Sequence, residues 1–352
     1  MGRYVVRRFL WMLLVLFFIS LITFAMEHAV PGGPFDREKR LPEEIIANLE
    51  EKYNLDEPYW KQYALYLSDV LVPRIAKEQS TSMLEESMVN VKLGGGYYLR
   101  WINFGPSYAS RSRTVNDIIR EQLPVSIQLG LVAMLIALVI GMPMGILAAL
   151  KQNTVWDYLG MSVAIFGVSV PVVAMGPVLV WLFGVAMHWL PPTGWGAKPP
   201  HLFFFIPRSL FSWEFWRFAL MPAFAVGTGE AAIIARLTRA SLLQVIHEDY
   251  IRTARAKGLA ERVVMVRHAL RNALIPVVTI LGPRFAAVLT GLFVVEQVFG
   301  IPGLGKYFIT SITNRDYPVI MGTILLYAIF LVVANVIVDI TYAWLDPRIR
   351  YE

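Results

Sequence analysis

Six apolar runs, each about as long as a bilayer's hydrocarbon core is thick, dominate this chain. They lie near residues 9–30, 123–150, 158–187, 217–237, 274–298 and 318–345. Roughly 20 apolar residues of helix cross a bilayer. In lipid the backbone must satisfy its own hydrogen bonds, so runs of this length fold as helices. The expected class is an all-α polytopic membrane protein with six transmembrane helices. Composition agrees: 56% of the 352 residues are hydrophobic and 16% charged, against roughly 25% charged in soluble domains.

Arg3, Arg7 and Arg8 precede the first run, as in the charged front of a signal peptide. The apolar stretch from Phe9 to Met26 exceeds the usual signal core, and no A-x-A cleavage site follows. The reading is a retained helix, with a cleaved signal as the alternative. The loop between the fourth and fifth runs carries Arg236, Arg239, Arg252, Arg255, Lys257, Arg262, Arg267 and Arg271 against Glu248, Asp249 and Glu261. Short basic loops stay in the cytoplasm, which places both termini inside and residues 31–119 outside. The expected divisions are a cytoplasmic tip with the first helix (1–30), an extracytoplasmic segment (31–119), a membrane core (120–346) and a short tail (347–352). Within 31–119, Ile45, Ile46, Leu49 and Tyr53, then Tyr63, Leu67 and Leu71, have helical spacing and predict two short helices parted at LDEP. KEQSTSMLEES reads as a polar loop. Pro143, Pro171 and Pro177 are expected to interrupt their spans. Gly141 with Gly145, and Gly160 with Gly167, suit close helix packing.

The net charge of +6 would suit nucleic acid only as a patch on a soluble face. Here the basic residues flank apolar runs, so lipid is the expected partner and nucleic acid is not. Cysteine is absent, which excludes disulfides, thiolate catalysis and Cys-ligated metals. The five histidines do not cluster, and His247-Glu248-Asp249 lacks the H-E-x-x-H spacing of a zinc protease. No catalytic, cofactor-binding or metal-binding residues are expected.

One motif argues superficially for a nucleotide site. Gly300, Gly305 and Lys306 in FGIPGLGKYF have phosphate-loop spacing after the apolar GLFVVEQV. Tyr307 stands where a Ser or Thr hydroxyl must meet magnesium. The preceding run is too long for a strand, and the topology puts the segment outside. A re-entrant or turn-rich segment is the better reading, with Phe299, Tyr307 and Phe308 at the interface.

The loop LLQVIHEDYIRTARAKGLAERVVMVRHALRNALIPVV predicts a short basic helix exposing Arg252, Arg255 and Lys257, a break at Gly258, and a second helix. The apolar side of that second helix is expected at Val263, Val264, Val266 and Leu270. The residues alone leave two roles open: a helix lying on anionic lipid, or a lever fitted into a groove of a soluble partner.

This loop resembles the EAA-type loop of bacterial ABC-importer permeases. Ala254 and Gly258 fit the general pattern, while Arg252, Thr253, His268 and Arg271 depart from it. The run DYIRTARAKGL…RHALRNALIPVV is closer still to the peptide and nickel permease branch, in its first-subunit type. ARLTRASLL, VVEQVF-x-IPGLG, NRDYPV and the terminal LDPRIRY share that likeness. The resemblance implies the type I ABC-importer permease fold in a bacterial or archaeal cell membrane. It implies a non-catalytic half-channel, most naturally for di- or oligopeptides. Nickel chelates, glutathione or oligosaccharides are alternatives, and a stand-alone channel or secondary carrier is a more distant one. Implied partners are a second permease subunit, two cytoplasmic ATPase subunits or domains, and an extracytoplasmic substrate-binding protein. ATP would be held by other chains, so no cofactor is expected here. Within the loop at 241–271, the implied coupling unit is Tyr250, Ile251, Arg252, Thr253, Ala254, Arg255, Ala256, Lys257, Gly258 and Leu259.

Glu230, Glu296 and Asp339 are acidic residues within the later spans. Glu230 falls near the middle of the fourth, which makes it a candidate for the translocation pathway or for an interhelical hydrogen bond. Glu296, near an outer end, and Asp339, near an inner end, are expected at interfaces or paired with arginine.

Overall fold

The computed structural model describes residues 2–35, 42–77, 87–110, 112–197, 199 and 201–345. Most of KEQSTSMLEES, the terminal DPRIRYE and the side chain of Asp339 lie outside the described residues. The chain divides into two compact units. One holds Val125–Pro302 with the chain's N-terminal tip and the end of the last helix from Phe330; the other holds Val6–Pro124 and Gly303–Ile329.

The second unit contains most of the first helix, α1 (Gly2–Ala29), then α2 (Glu43–Lys52) and α3 (Tyr59–Leu71). Pro42 and Pro58 immediately precede α2 and α3, where a residue without an N–H costs the helix nothing. The two short helices fall where the apolar spacing put them. A three-stranded antiparallel sheet was not expected: β1 (Arg74–Lys77), β2 (Val89–Gly94) and β3 (Tyr97–Trp101), in the order β1-β3-β2. The β2–β3 hairpin turns through Gly94, Gly95 and Gly96, all at positive φ, which glycine adopts without a Cβ clash. This unit also holds the start of α4 (Val115–Leu150), then α12 (Leu304–Asn314) and the start of α13 (Tyr317–Leu345). The segment read as turn-rich is therefore helical from Leu304 onward, and its tight reversal is confined to Gly300, at φ 59°. Asp316, in the turn before α13, accepts hydrogen bonds from the Ser107 hydroxyl and from the backbone N–H groups of Tyr108 (2.9 Å) and Ala109 (3.1 Å).

The first unit is a helical bundle of α4, α5 (Val155–Ser169), α6 (Val172–Ala186), α7 (Trp213–Val245), α8 (Asp249–Ala256), α9 (Glu261–Ala273), α10 (Ile275–Gly291) and α11 (Phe293–Val298). Val170 is extended, as a residue before proline prefers, and Pro171 then opens α6. The chain bends by 99° there, so the third apolar run is a broken pair of helices. Pro177 is followed by a π-helical turn over Val180–Ala186. Pro143 makes no such break, and α4 runs on to Leu150.

Close approach of α4 and α7 depends on small residues. A Cβ on Gly141 would collide with the Ala231 carbonyl, and one on Gly145 would lie 2.7 Å from the Thr238 Cβ. Leu129, Ala133, Ala137, Phe215, Ala223, Ile234 and Leu289 form the buried centre of this unit. Among the described residues, four helices are long and apolar enough to cross a membrane, and up to six spans result if each bent pair is one.

Candidate functional site

The basic loop folds as a helix, a turn and a helix. α7 ends at Val245, and His247 donates from Nδ1 to the Leu243 carbonyl at 2.7 Å. α8 begins at Asp249 and ends with Arg255 in its last turn. That places an acid at the positive end and a base at the negative end of the helix dipole. Ile251 and Ala254, three residues apart, share one face and are buried. They pack among Ala149 of α4, Leu242 of α7, and Val264, Met265, Ala269 and Ala273 of α9. Burial of a side chain the size of Ile251 stabilises by about 1.5–3 kcal/mol, so this face anchors α8 to the bundle.

The remaining residues from 250 to 259 face outward: Tyr250, Arg252, Thr253, Arg255, Ala256, Lys257, Gly258 and Leu259 are all exposed. Gly258 lies at φ 74° with open space around its missing Cβ. Its requirement is conformational, since a left-handed residue ends α8 and any other side chain would be strained there. Two contacts brace the turn. Arg255 donates from Nε and Nη2 to the Glu261 carboxylate at 3.1 and 2.8 Å, and Asn272 donates to the Tyr250 hydroxyl at 2.8 Å. Hydrogen bonding to Glu261 holds the Arg255 guanidinium above its ordinary pKa.

The apolar side of α9 differs from expectation. Val264 is buried as foreseen, but Val263 is exposed and Val266 is 59% exposed. A π-helical turn spans Val264–Leu270; its wider i→i+5 spacing shifts the buried face onto Met265 and Ala269. Tyr250, Leu259, Val263 and Val266 thus form an apolar complement to the exposed basic residues.

Glu230 lies inside α7, fifteen residues before the helix ends at Val245, or roughly 22 Å of helix. The structure therefore does not bring it to the segment 250–259; α7 runs on from Glu230 to Val245, and a short turn separates it from α8. Its Oε1 is 3.8 Å from Arg284 Nη1 on α10, and its Oε2 is buried without a hydrogen-bond partner among the described residues. Glu296, expected at an interface or beside arginine, is instead buried and accepts from the Ser126 hydroxyl at 2.6 Å. Position along the span misjudged it, because a helix end can still lie inside a bundle.

Several polar contacts elsewhere in this unit are not legible in the sequence. Asp157 on α5 accepts from Arg239 Nε and Nη2, both at 2.7 Å, and from the Asn153 backbone at 3.0 Å. Trp195 donates to Gln128 Oε1 at 2.8 Å, while Gln128 Nε2 bonds the Phe205 carbonyl (2.9 Å) and His201 Nδ1 (3.3 Å). Burial lowers the His201 pKa, in keeping with an imidazole whose Nδ1 accepts. The signal for Asp157 was visible as a lone acid beside an apolar run, though nothing local named its partner.

Residues 141–351 match the model of the family described as binding-protein-dependent transport system inner membrane component, and residues 1–130 match that family's N-terminal region. The chain belongs to this family. As a member, this permease is a multi-pass inner-membrane protein. It is 39% identical to the dipeptide transport system permease protein DppB of Bacillus subtilis, over 99% of its own length and 98% of the relative's. It is 38% and 37% identical to the oligopeptide transport system permease proteins OppB of Haemophilus influenzae and Escherichia coli, over the full length of each chain. A structure of the MetNI methionine ABC transporter in inward-facing conformations aligns with 64% of the permease and 94% of its own chain, at 16% identity and a TM-score of 0.49.

Proposed function

We propose that this permease forms half of the translocation channel of an ATP-driven importer of di- or oligopeptides. In this reading the segment from Tyr250 to Leu259 is the helix that docks on a cytoplasmic ATPase subunit. A second permease completes the channel, and an extracytoplasmic binding protein delivers the cargo. Both termini and the basic loop face the cytoplasm, with residues 31–119 on the opposite side. The core is taken as 120–346, flanked by 1–30 and 347–352.

The observation that carries the proposal is the two-sided character of α8. Its inner face is anchored by Ile251 and Ala254 to three other helices, while its outer face presents Arg252, Arg255 and Lys257. A helix resting on lipid would need no such anchorage or bracing. A helix that transmits force needs both, because displacement of a loose element is absorbed locally. Moving a two-state equilibrium from 1:99 to 99:1 requires about 5.5 kcal/mol of differential binding. A single surface ion pair supplies about 0–1 kcal/mol, so the lever must act as a docked unit rather than through one arginine.

α7 then carries displacement from the coupling segment to Glu230. There the Glu230–Arg284 pair is the candidate element of the pathway. The test is Gly258→Pro. Proline requires φ near −65°, and Gly258 sits at +74°, so the end of α8 must reorganise. In vesicles with both permeases, the ATPase subunits and the binding protein, ATP hydrolysis should continue while peptide uptake falls at least tenfold. Normal coupled uptake by a correctly inserted variant would refute the lever.

A further inference from the structure

Within the unit containing α1 to α3, a cavity of about 360 Å³ opens beside Glu27, lined also by Tyr53, Tyr66, Asp69, Tyr108 and Tyr317. Pockets of roughly 300 Å³ and upward hold small ligands. Glu27 is only 8% exposed, and both of its carboxylate oxygens are buried without a hydrogen-bond partner among the described residues. Nearly all buried polar side-chain groups in folded proteins are partnered, so an acidic group with two unpartnered oxygens facing a cavity calls for a ligand.

We infer that this cavity binds a small molecule through a primary ammonium group.

The nearby bases are engaged elsewhere. His28 donates from Nδ1 to the Phe24 carbonyl at 2.8 Å, and its Nε2 lies 3.3 Å from Gln62 Oε1. The Lys52 ammonium sits over the Tyr53 ring, 5.4 Å from its centroid. Asp69 is bonded to Arg74, which leaves Glu27 as the unpaired acid of the wall. Tyr53 and Tyr108 pack with ring centroids 4.8 Å apart, and Phe35 stacks on Tyr53. Aromatic faces attract a cation by their quadrupoles, and a carboxylate supplies the counter-charge and the acceptors for its N–H groups. A metal ion fits less well. Among the described residues no three His, Asp or Glu side chains group at metal-binding spacing, and a hard divalent cation takes six or more oxygen ligands. An anion is disfavoured by Glu27 itself.

The inference does not rest on the transport reading, since it concerns equilibrium binding to this chain. The test uses the full chain in lipid nanodiscs at neutral pH, titrated calorimetrically with dialanine, with ethylammonium and with N-acetyl-dialanine. Dialanine or ethylammonium should bind saturably, the N-acetylated peptide should not, and Glu27→Gln should weaken binding at least tenfold. Dialanine binding at least tenfold tighter than ethylammonium identifies a peptide terminus as the source. Equal affinities identify any small amine.

No saturable binding to the wild type, or unchanged binding to Glu27→Gln, overturns the assignment. If Glu27→Gln does not insert, the wild type still decides. Carbodiimide activation with glycinamide should then form an amide at Glu27, mapped by peptide mass spectrometry, with a yield that saturates. Absence of that adduct, or a yield rising linearly with glycinamide, would also overturn it.

Discussion

Two ion pairs share helix α7 and differ in almost every physical respect. Arg239 meets Asp157 through two hydrogen bonds of 2.7 Å, and the Asp157 side chain is 3% exposed. Glu230 meets Arg284 at 3.8 Å with one oxygen left unpartnered, and the arginine is 42% exposed. The members of the two pairs on α7, Glu230 and Arg239, stand nine residues apart, or roughly 13 Å of helix. The first pair has the fork geometry that fixes orientation as well as charge. The second is too long for a hydrogen bond and leaves both groups able to take another partner. In the proposed importer the first pair holds α5 against α7, and the second is free to exchange partners. The contrast separates a clamp from a candidate pathway group, although a hydropathy plot shows both as charges near or within apolar runs.

The largest effect is expected from Arg239→Ala. Removing one partner leaves the other charge buried and uncompensated, at a typical cost of about 3 kcal/mol or more. Denaturant titration of the purified chain in detergent should read that loss. A change below about 1 kcal/mol would mean that Asp157 finds water or another donor, and the distinction between the pairs would break. Arg239→Lys sharpens the same point. An ammonium keeps the charge but cannot form the parallel pair of N–H bonds, so a loss of about 1 kcal/mol is expected, near the value of one hydrogen bond. Full stability with lysine would show that charge alone suffices.

The legibility of this molecule in its sequence follows the range over which each signal acts. Apolar length is local, and α4, α7 and α13 lie where the hydropathy placed them. So is the turn chemistry of Gly258, whose left-handed backbone was readable as a helix end. The hairpin in VNVKLGGGYYLRW is equally local. Two β-rich runs around three glycines are a hairpin signal, which neither span length nor helical periodicity detects. The burial of Met265 and Ala269 was not readable, because a π-helical turn changes the phase that a 3.6-residue period assumes. Partnerships were the least legible. Asp157 and Arg239 are 82 positions apart, and only the packing of α5 on α7 makes them neighbours. Ser126 and Glu296 are 170 apart, and without that contact Glu296 read as an interfacial residue. Depth in its span marks Glu230, but nothing local to either residue pairs it with Arg284 on another helix.

The smallest effect on stability, and the most informative, is expected from Glu230→Gln. An exchangeable pair at 3.8 Å is worth about 0–1 kcal/mol, and glutamine preserves shape and much of the hydrogen-bonding capacity. Folding stability should therefore change by no more than about 0.5 kcal/mol, the range of substitutions that break no buried network. Peptide uptake by the assembled importer should nonetheless fall by about fivefold or more, because an ionisable group within a span is ordinarily retained for what passes it. Arg284→Gln should reproduce the transport loss, and the double variant should be no worse than either single one if the two act as a unit. If Glu230→Gln instead destabilised the chain as much as Arg239→Ala while uptake per assembled complex stayed normal, Glu230 would be a second clamp. α7 would then contribute rigidity at both positions, and the search for the pathway would move to another helix.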